Sequence, residues 1–404
     1  MLRELVAASH LMSMEQLPGA AARYAADVGL HDVVIYISDL QQTVLRLLTG
    51  KGVDAGGDPG DESPELKIEG TIAGRAFQTM TPVVGHSFDD GTCQYWLPIL
   101  DGSERIGVIR ATIRKDDPRA RDDAEYLAGM AALIIISKGP YSDSLSRLVR
   151  TRDMTVSAEM QWRLLPPLSF ANDQVVISAA LEPAYKLGGD TFDYALAGDT
   201  VHFGVFDAMG HDTRSGLTSS LAIAAFRNCR LQRAGLVEAG QGIEEVLAEQ
   251  DGSGRFVTAV MAELDLRSGI MSWISHGHPA PVVIRKGRWV TVLDCPPGTP
   301  LGTGLGVPPE LCTEQLEPGD RVLFYTDGIV EARDPDKREF GLQRFVDFVI
   351  RHEADGLPAP ETLRRLIHRI LDHHGGRLDD DATVLLVEWH GWPGQGDLPA
   401  AGRS

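Results

Sequence analysis

The chain of 404 residues, with 43% hydrophobic and 24% charged side chains, is long and apolar enough for two or three domains with substantial cores. Its net charge of −19 argues against a nucleic-acid partner and against docking on an anionic membrane, because both need a basic face. The longest apolar run, 126–136, is shorter than the roughly 20 residues of a membrane-spanning helix, so no membrane partner is expected.

Residues 1–138 show the mixed helix and strand patterns of an α+β domain. A polar, glycine-rich stretch at 55–64 is typical of a loop. The predicted elements are an opening helix that carries Leu2, Leu5 and Val6, strands at 31–37, 43–48, 95–100 and 105–113, a short helix at 74–78 and a last helix at 122–137.

Residues 139–165 have the pattern of a helical linker. From 143 to 165 we expect one polar helix with a narrow apolar stripe, which Pro166 and Pro167 end. The stripe consists of Leu145, Leu148, Val156, Met160 and Leu164. Such a stripe packs either against a second copy as a short coiled coil or against the chain's own domains, and the pattern leaves both open.

Residues 166–390 form a second αβ unit, in which antiparallel strands and helix pairs predict sheets covered by helices. Predicted strands lie at 175–181, 201–206, 257–265, 270–275, 280–285, 321–325 and 383–389, and predicted helices at 215–233, 241–249, 341–353 and 360–374. The tail 391–404, rich in Gly, Pro and Ala, is expected to be disordered.

The chain begins without the long apolar core of a signal peptide, and its cysteines form no Cys-x-x-Cys pair. The cysteines are Cys93, Cys229, Cys295 and Cys312. This spacing is typical of reduced, structural thiols. The start of the chain and the scattered cysteines together predict a cytoplasmic protein.

Acidic residues lie beside strand-like segments at five places. They are Asp190 with Asp193, Asp207, Asp265, Asp327 and the triplet 379–381. A carboxylate at the end of a buried strand is costly unless a positive group meets it. Several converging carboxylates therefore usually indicate a divalent metal. Within the set, Asp193 is expected to support its loop and Asp265 to cap a strand end.

Local sequence explains how the acids reach one site. The strand 201–206 delivers Asp207 at its end, and Gly210 allows a tight turn after it. The backbone carbonyl of Ala208 is placed to complete a metal shell. Gly188 and Gly189, just before Asp190, allow the backbone to approach an ion closely.

Together and in this order, these segments resemble the PP2C-like (PPM) metal-dependent serine/threonine phosphatases of the bacterial SpoIIE and RsbU type. The matching segments are LGGDTFDYA (187–195), FDAMGHDTRSGLTSSLA (206–222), FVTAVMAELDLRSG (256–269), SHGHPAPVV (275–283), LFYTDGIVEARD (323–334) and DDDATVLLVEW (379–389). The resemblance implies an αββα sandwich for 166–390 with two Mn²⁺ or Mg²⁺ ions between its sheets, and hence an α+β fold class for the chain.

Carried onto this sequence, the resemblance implies that Asp190 and Asp207 bind metal, with Asp207 bridging both ions and the carbonyl of Ala208 coordinating. Asp327 and Asp380 hold the second side of the site, although Asp381 stays open as an alternative to Asp380. These four aspartates are also the predicted catalytic residues. The implied chemistry is hydrolysis of a phosphate ester by a water that the two metals activate.

Two positions depart from the family pattern. Many relatives have glycine at Ala208, and eukaryotic relatives have a histidine at Met209, so the acid for the leaving group is unassigned. His211 is expected to be structural, and His276 and His278 to shape a Gly-His-Pro turn rather than bind metal.

Residues 1–138 resemble a GAF domain in the opening helix and in segments 31–37, 69–84, 95–100 and 105–113. GAF domains sense small molecules or dimerise, so we expect a small-molecule ligand at this GAF-like domain and a homodimer. Cys93 is expected to be a buried thiol rather than an anchor for a chromophore or haem.

The sequence therefore predicts a GAF-regulated phosphatase that acts on phosphoserine or phosphothreonine in a protein. By family resemblance, its substrate is a STAS-type anti-sigma-factor antagonist. The alternative is a non-catalytic sensor or scaffold that binds partner proteins through a phosphatase-like domain.

Overall fold

A computed structural model describes residues 2–60, 62–186, 188–210, 212–249, 255–375, 378 and 380–392. The chain divides into two compact units, Met1–Asp153 and Met154–Ser404. Most of the predicted disordered tail lies outside the described residues. None of the helices in the described ranges is both long enough and apolar enough to cross a bilayer.

The first unit is a single antiparallel sheet with helices on both faces. Its strands are β1 (His31–Ser38), β2 (Val44–Leu48), β3 (Glu65–Lys67), β4 (Val83–Ser87), β5 (Thr92–Asp101) and β6 (Glu104–Arg114), in the order β3-β2-β1-β6-β5-β4. Its helices are α1 (Leu2–Ser9), α2 (Leu17–Ala26), α3 (Ile72–Thr79), α4 (Pro118–Lys138) and α5 (Asp143–Leu148), with 3₁₀ turns at Met14–Gln16 and Gly139–Tyr141.

Two apolar clusters cover the two faces of this sheet. Residues of α1, α2, α4 and α5 pack on one face, where Cys93 is buried. The shorter α3 covers the other face, where Phe77 and Trp96 lie. This arrangement is consistent with a GAF-like domain and confirms the mixed α/β class predicted for the unit.

The predicted single helix over 143–165 is wrong, because two helices form there. The first, α5, ends at Leu148, and the second, α6 (Val156–Leu164), begins after Thr155, whose side chain accepts a hydrogen bond from Ala158 N. The apolar stripe is divided accordingly. Leu148 is buried in the core of the first unit, whereas Val156 is 71% exposed.

The second unit contains two antiparallel sheets. The first has the order β15-β12-β11-β10-β9, and the second has the order β14-β13-β16-β17-β8-β7. The strands are β7 (Ser169–Ala171), β8 (Val175–Glu182), β9 (Asp190–Ala197), β10 (Thr200–Ala208), β11 (Val257–Asp265), β12 (Ile270–His276), β13 (Val282–Arg285), β14 (Arg288–Val292), β15 (Cys312–Gln315), β16 (Asp320–Tyr325) and β17 (Ala382–Trp389).

The two sheets pack face to face, and helices cover their outer faces. Between the sheets, Phe203 of β10 meets Phe324 of β16 edge to face, with ring centroids 5.0 Å apart. The outer helices are α7 (Thr213–Leu231) and α8 (Leu236–Ala248) on the first sheet, and α10 (Leu342–Ala354) and α11 (Ala359–His373) on the second, with the short α9 (Asp327–Val330) after β16. This layering is the predicted αββα sandwich.

Two cysteines depart from the expectation of reduced thiols. Cys295 and Cys312 form a disulfide with Cα atoms 6.1 Å apart, which closes the loop before β15. Their pairing arises because β15 returns to the edge of the first sheet, a tertiary contact that the spacing of the cysteines does not reveal. Cys93 and Cys229 are free thiols.

Candidate metal centre

Two of the predicted ligands, Asp190 and Asp207, lie opposite each other on neighbouring strands. Asp190 begins β9 and Asp207 is the penultimate residue of β10, and the antiparallel register pairs them directly. Directly opposed residues in such a pair hold their Cβ atoms about 5 Å apart. Thr326 donates a hydrogen bond to Asp190 Oδ2 at 2.6 Å, which links this pair to the second sheet.

The other two predicted ligands come from that second sheet. Asp327 begins α9 just after β16, and Asp380 lies just before β17. The strands β16 and β17 are neighbours, and Thr326 N donates to Thr383 O at 3.0 Å where they meet. Asp327, which comes after β16, and Asp380, which comes before β17, therefore lie at the same end of the second sheet.

Burial and mutual repulsion raise the pKa values of these carboxyl groups. Burial, followed by the charges of Asp207 and Asp381, raises the pKa of Asp190 well above its usual range. Burial, followed by the charges of Asp327 and Asp380, raises the pKa of Asp207 to about 7. Burial and the charge of Asp380 also raise the pKa of Asp327. The charges that shift these pKa values most are thus those of neighbouring carboxylates. Such a concentration of negative charge favours a bound cation or bound protons.

The neighbouring carboxyl group of Asp190 partly offsets the rise in the pKa of Asp207, as a hydrogen-bond donor would. A carboxyl group donates a hydrogen bond only when it carries a proton. Without metal, a proton therefore compensates for charge that a cation would neutralise.

Two glycines explain how close the backbone segments come at this site. A Cβ atom on Gly189 would lie 2.0 Å from the carbonyl oxygen of Ala208, the predicted backbone ligand. A Cβ atom on Gly328 would lie 1.9 Å from the carbonyl oxygen of Asp381. Both positions therefore exclude any side chain, since real Cβ contacts below 3.0 Å essentially never occur.

The structure distinguishes Asp380 from Asp381 by burial and by hydrogen bonding. Asp381 is only 4% exposed, and its Oδ2 accepts hydrogen bonds from Gly188 N at 2.9 Å and Asp190 N at 3.4 Å. Burial raises the pKa of Asp381 to about 6. Asp380 is exposed, and its Oδ1 accepts from Asp381 N at 2.9 Å. Asp381 thus holds the 188–190 backbone, and Asp380 stays the proposed ligand; Asp379 lies outside the described residues.

Sequence reasoning also missed Gln161 of α6. Its side chain is 1% exposed, and its Nε2 donates to Gly188 O at 2.9 Å, Asp190 O at 3.3 Å and Ser219 Oγ at 2.9 Å. The helix before the sandwich is thereby attached to the loop that carries Asp190. A polar residue on the buried face of an amphipathic helix was the only available signal, and it does not name a partner.

The donor set fits a hard divalent cation. The four proposed side chains and the carbonyl of Ala208 offer oxygen atoms only, as Mg²⁺ and Mn²⁺ prefer. Among the described residues, no group of three or more His, Cys, Asp or Glu side chains already converges as a metal-binding cluster. We therefore expect metal binding to displace protons and to turn the carboxylates toward the ions.

A cleft of about 200 Å³ adjoins the second side of the centre. Asp327 and Asp380 line it together with Glu331, Arg333 and His374. Both aspartates are therefore reachable from this cleft.

The remaining acids have structural partners. Asp193 is 1% exposed. Its Oδ1 accepts a hydrogen bond from Arg227 Nε at 2.9 Å, and its Oδ2 accepts one from the guanidinium of Arg230. It therefore fastens β9 to α7 rather than only supporting a loop. Asp265 accepts from Arg267 N at 3.0 Å and Ser268 N at 2.7 Å, the capping role expected for it.

The histidines of the Gly-His-Pro region are buried and bonded within the protein. His278 Nδ1 lies 3.0 Å from Thr258 Oγ1, and burial lowers the pKa of His278 to about 3. His276 Nδ1 lies 2.8 Å from Thr299 O. These contacts agree with a structural role, while His211 lies outside the described residues.

Residues 197–390 match the family profile of Stage II sporulation protein E (SpoIIE). Asp207, Asp327 and Asp380 fall within the matched segment, and Asp190 lies just before it.

Among curated proteins, the chain is 23% identical over 277 residues to Protein IcfG of Synechocystis, which covers 61% of this chain and 42% of IcfG. It is 20% identical over 240 residues to Phosphoserine phosphatase RsbU of Bacillus subtilis, covering 58% of this chain and 69% of RsbU. The chain thus spans less than half the length of IcfG.

Two solved structures are similar over part of the chain. The RsbU and RsbW domains of Rv1364c from Mycobacterium tuberculosis are 25% identical with a TM-score of 0.47, over 56% of this chain and 63% of that one. The SiaA PP2C domain of Pseudomonas aeruginosa is 20% identical with a TM-score of 0.49, over 63% of this chain and 99% of that one. Residues 197–390 are therefore similar to the SpoIIE family, and the chain is also similar to the phosphoserine phosphatase RsbU.

Proposed function

We propose that the chain is a Mn²⁺- or Mg²⁺-dependent phosphatase that removes phosphate from serine or threonine of a protein. The observation that supports this most directly is the group of aspartates from both sheets, whose pKa values are raised by burial and by one another. Such a group is stable in its charged form only with cations, and a phosphate ester also needs cations to approach it.

In this proposal, Asp190, Asp207, Asp327 and Asp380 hold two divalent ions, and the carbonyl of Ala208 adds a backbone ligand. When bound, such a pair of ions lowers the pKa of a water between them and neutralises phosphate oxygens. Because Asp190 and the charges of Asp327 and Asp380 all act on the Asp207 carboxyl group, Asp207 would take the bridging position.

Other residues of the chain keep these ligands in place. Asp381 and Gln161 fix opposite polar atoms of the 188–190 backbone, since Asp381 accepts from its N–H groups and Gln161 donates to its carbonyls. Thr326 donates to Asp190 and accepts from Thr383 N at 2.9 Å, which connects the ligand to β17. Ligands held in this way lose little freedom when the ions bind.

The substrate class and the regulation are further parts of the proposal. The similarity to a phosphoserine phosphatase supports phosphoserine in a protein, and the family resemblance of the sequence supports a STAS-type protein. The GAF-like unit would regulate the phosphatase through a small-molecule ligand or through a homodimer. The cytoplasmic location stays a prediction, and the Cys295–Cys312 disulfide is a feature more common in oxidising compartments.

The test uses the full chain with p-nitrophenyl phosphate and with phosphorylated STAS proteins. Phosphate release is measured with Mn²⁺, with Mg²⁺ and with excess chelator, for the wild type and for Asp207→Asn. We expect release only with metal and a loss of at least about 100-fold in the variant, because one ligand is removed. Equal release in chelator, or from Asp207→Asn, would refute the proposed chemistry.

The alternative, a non-catalytic scaffold, makes a different prediction. It would bind phosphorylated or unphosphorylated partners without turnover at any metal concentration. The presence of all four acidic side chains at the predicted positions favours catalysis over the scaffold.

A further inference from the structure

A second cleft, of about 270 Å³, lies in the phosphatase domain between α8 and the loop that the disulfide closes. One face of α8 forms a wall through Val237, Gly240 and Glu244, which follow one another at helical spacing. Leu301 and Val307 of the loop form the opposite wall. The cleft is thus mostly apolar, with acidic groups along its α8 side.

The imidazole of His276 lies at this cleft with one unused nitrogen. His276 is 5% exposed, and its Nδ1 must donate to Thr299 O, because a carbonyl only accepts. The opposite nitrogen, Nε2, is buried and has no hydrogen-bond partner among the described residues. It faces the α8 backbone, since a Cβ atom on Gly240 would lie 2.7 Å from it.

The protonation state of His276 defines what Nε2 can bind. Burial lowers the pKa of His276, so the ring is neutral near pH 7. With the proton on Nδ1, Nε2 presents a lone pair. An unsatisfied buried acceptor is costly, and it favours a ligand that donates a hydrogen bond.

Two glutamates give the cleft a negative side. Glu244 accepts hydrogen bonds from Gly302 N and from Gly304 N, the latter at 2.7 Å, so it fastens the loop to α8. Glu245 is exposed at the rim. A carboxylate at the rim and an acceptor nitrogen in the wall both attract a cationic donor.

The cleft lies at the same end of the first sheet as the metal centre. Leu301 exchanges backbone hydrogen bonds of 2.8 and 2.9 Å with Val257 of β11, and Val257 pairs with Ala208 of β10. His276 ends β12, the strand on the other side of β11. Two strand spacings separate β12 from β10, or about 10 Å, which is the length of about three residues of extended chain.

We propose that this cleft binds a lysine or arginine side chain of the phosphoprotein substrate, at a distance of three to five residues from the phosphorylated serine or threonine. The proposal rests on the phosphatase function proposed above. A basic side chain combines an apolar stem, which suits Val237, Leu301 and Val307, with a cationic donor for Glu245 and His276. It would select substrates by the sequence around the phosphorylated residue.

The experiment uses the full chain with Mn²⁺ and a set of phosphoserine peptides in an alanine background. One lysine, or one norleucine as its uncharged counterpart, is moved through positions one to six on each side of the phosphoserine. We expect kcat/KM to be about tenfold higher for lysine than for norleucine at a position three to five residues away, through a lower KM, and no such gain at the adjacent positions. Each value is divided by the kcat/KM for p-nitrophenyl phosphate.

A matched pair of variants separates the cleft from general attraction by an acidic protein. Glu245→Gln should remove most of the lysine preference, whereas Glu249→Gln, the same change one turn further along and outside the cleft, should keep it. Equal losses in both variants would overturn the proposal, as would equal kcat/KM for lysine and norleucine peptides.

A failure of the phosphatase function is distinguishable from a failure of the cleft. If the wild type hydrolyses neither p-nitrophenyl phosphate nor peptides with Mn²⁺, the proposed function fails. The cleft is then tested with N-acetyl-lysine methylamide by following the His276 imidazole nitrogens by NMR. A shift with this compound and none with the norleucine analogue supports the cleft, and identical behaviour of both compounds overturns it.

Discussion

Substituting alanine for Gly189 tests whether the backbone at the start of β9 shapes the metal centre. The new Cβ atom would lie 2.0 Å from Ala208 O and 2.9 Å from Gly210 O. The first distance is about 1.4 Å shorter than the 3.4 Å at which ordinary contact begins. Neither partner is a flexible side chain, so the two strands must separate at this point.

The separation affects both stability and metal affinity. It strains the hydrogen bond from Ala208 N to Gly189 O, now 3.1 Å, and the opposed pair of Asp190 and Asp207. Inserting a methyl group into such a packed site costs about 1–3 kcal/mol of unfolding free energy. Displacing a metal ligand through its support typically weakens metal binding by about 10- to 100-fold.

The assay is a Mn²⁺ titration of p-nitrophenyl phosphate hydrolysis, with urea denaturation of the same samples. Gly129→Ala in α4 is the control, because a Cβ atom there meets nothing within 4 Å. The control should keep its Mn²⁺ affinity and gain up to about 1 kcal/mol in stability, as expected for Gly→Ala in a helix. An unchanged Mn²⁺ affinity in Gly189→Ala would refute the reasoning.

Three further changes have defined outcomes. In chelator, the unfolding free energy should fall as pH rises from about 4 to 7. The folded state raises the pKa of Asp207 from 3.8 to about 7, so the folded protein binds this proton more tightly than the unfolded chain does. Denaturation with saturating Mn²⁺ should show no such fall. Gln161→Leu should raise the Mn²⁺ concentration needed for half-maximal activity by about tenfold, because two carbonyls of the Asp190 loop lose their donor, whereas Met160→Leu should leave it unchanged. Replacing Cys295 and Cys312 by serine should lower the unfolding free energy by about 3 kcal/mol, as the closed loop spans 17 residues; identical urea curves for the variant and the oxidised wild type would contradict this.

Much of the fold could be predicted from the sequence because its signals are local. Mostly apolar runs in β10, β11 and β17 indicate strands buried on both faces, and acidic residues at strand ends indicate a charged end of the sheet. β9 was missed, since LGGDTFDYA has the composition of a loop. Its strand depends on pairing with β10, and this pairing is what places Asp190 opposite Asp207.

The acidic residues and their order along the chain are properties of the sequence, and from them alone we predict a divalent-metal site and a resemblance to a phosphatase family. Which acids face each other depends on strand register and on how two sheets meet, so only the tertiary structure separates buried Asp381 from exposed Asp380. The same holds for Gln161, which bonds to Gly188, and for the disulfide between Cys295 and Cys312. In both cases the partner is distant in the sequence and is brought close only by the tertiary fold. Local periodicity indicates whether a residue is buried, whereas long-range packing decides which residue it contacts in the folded protein.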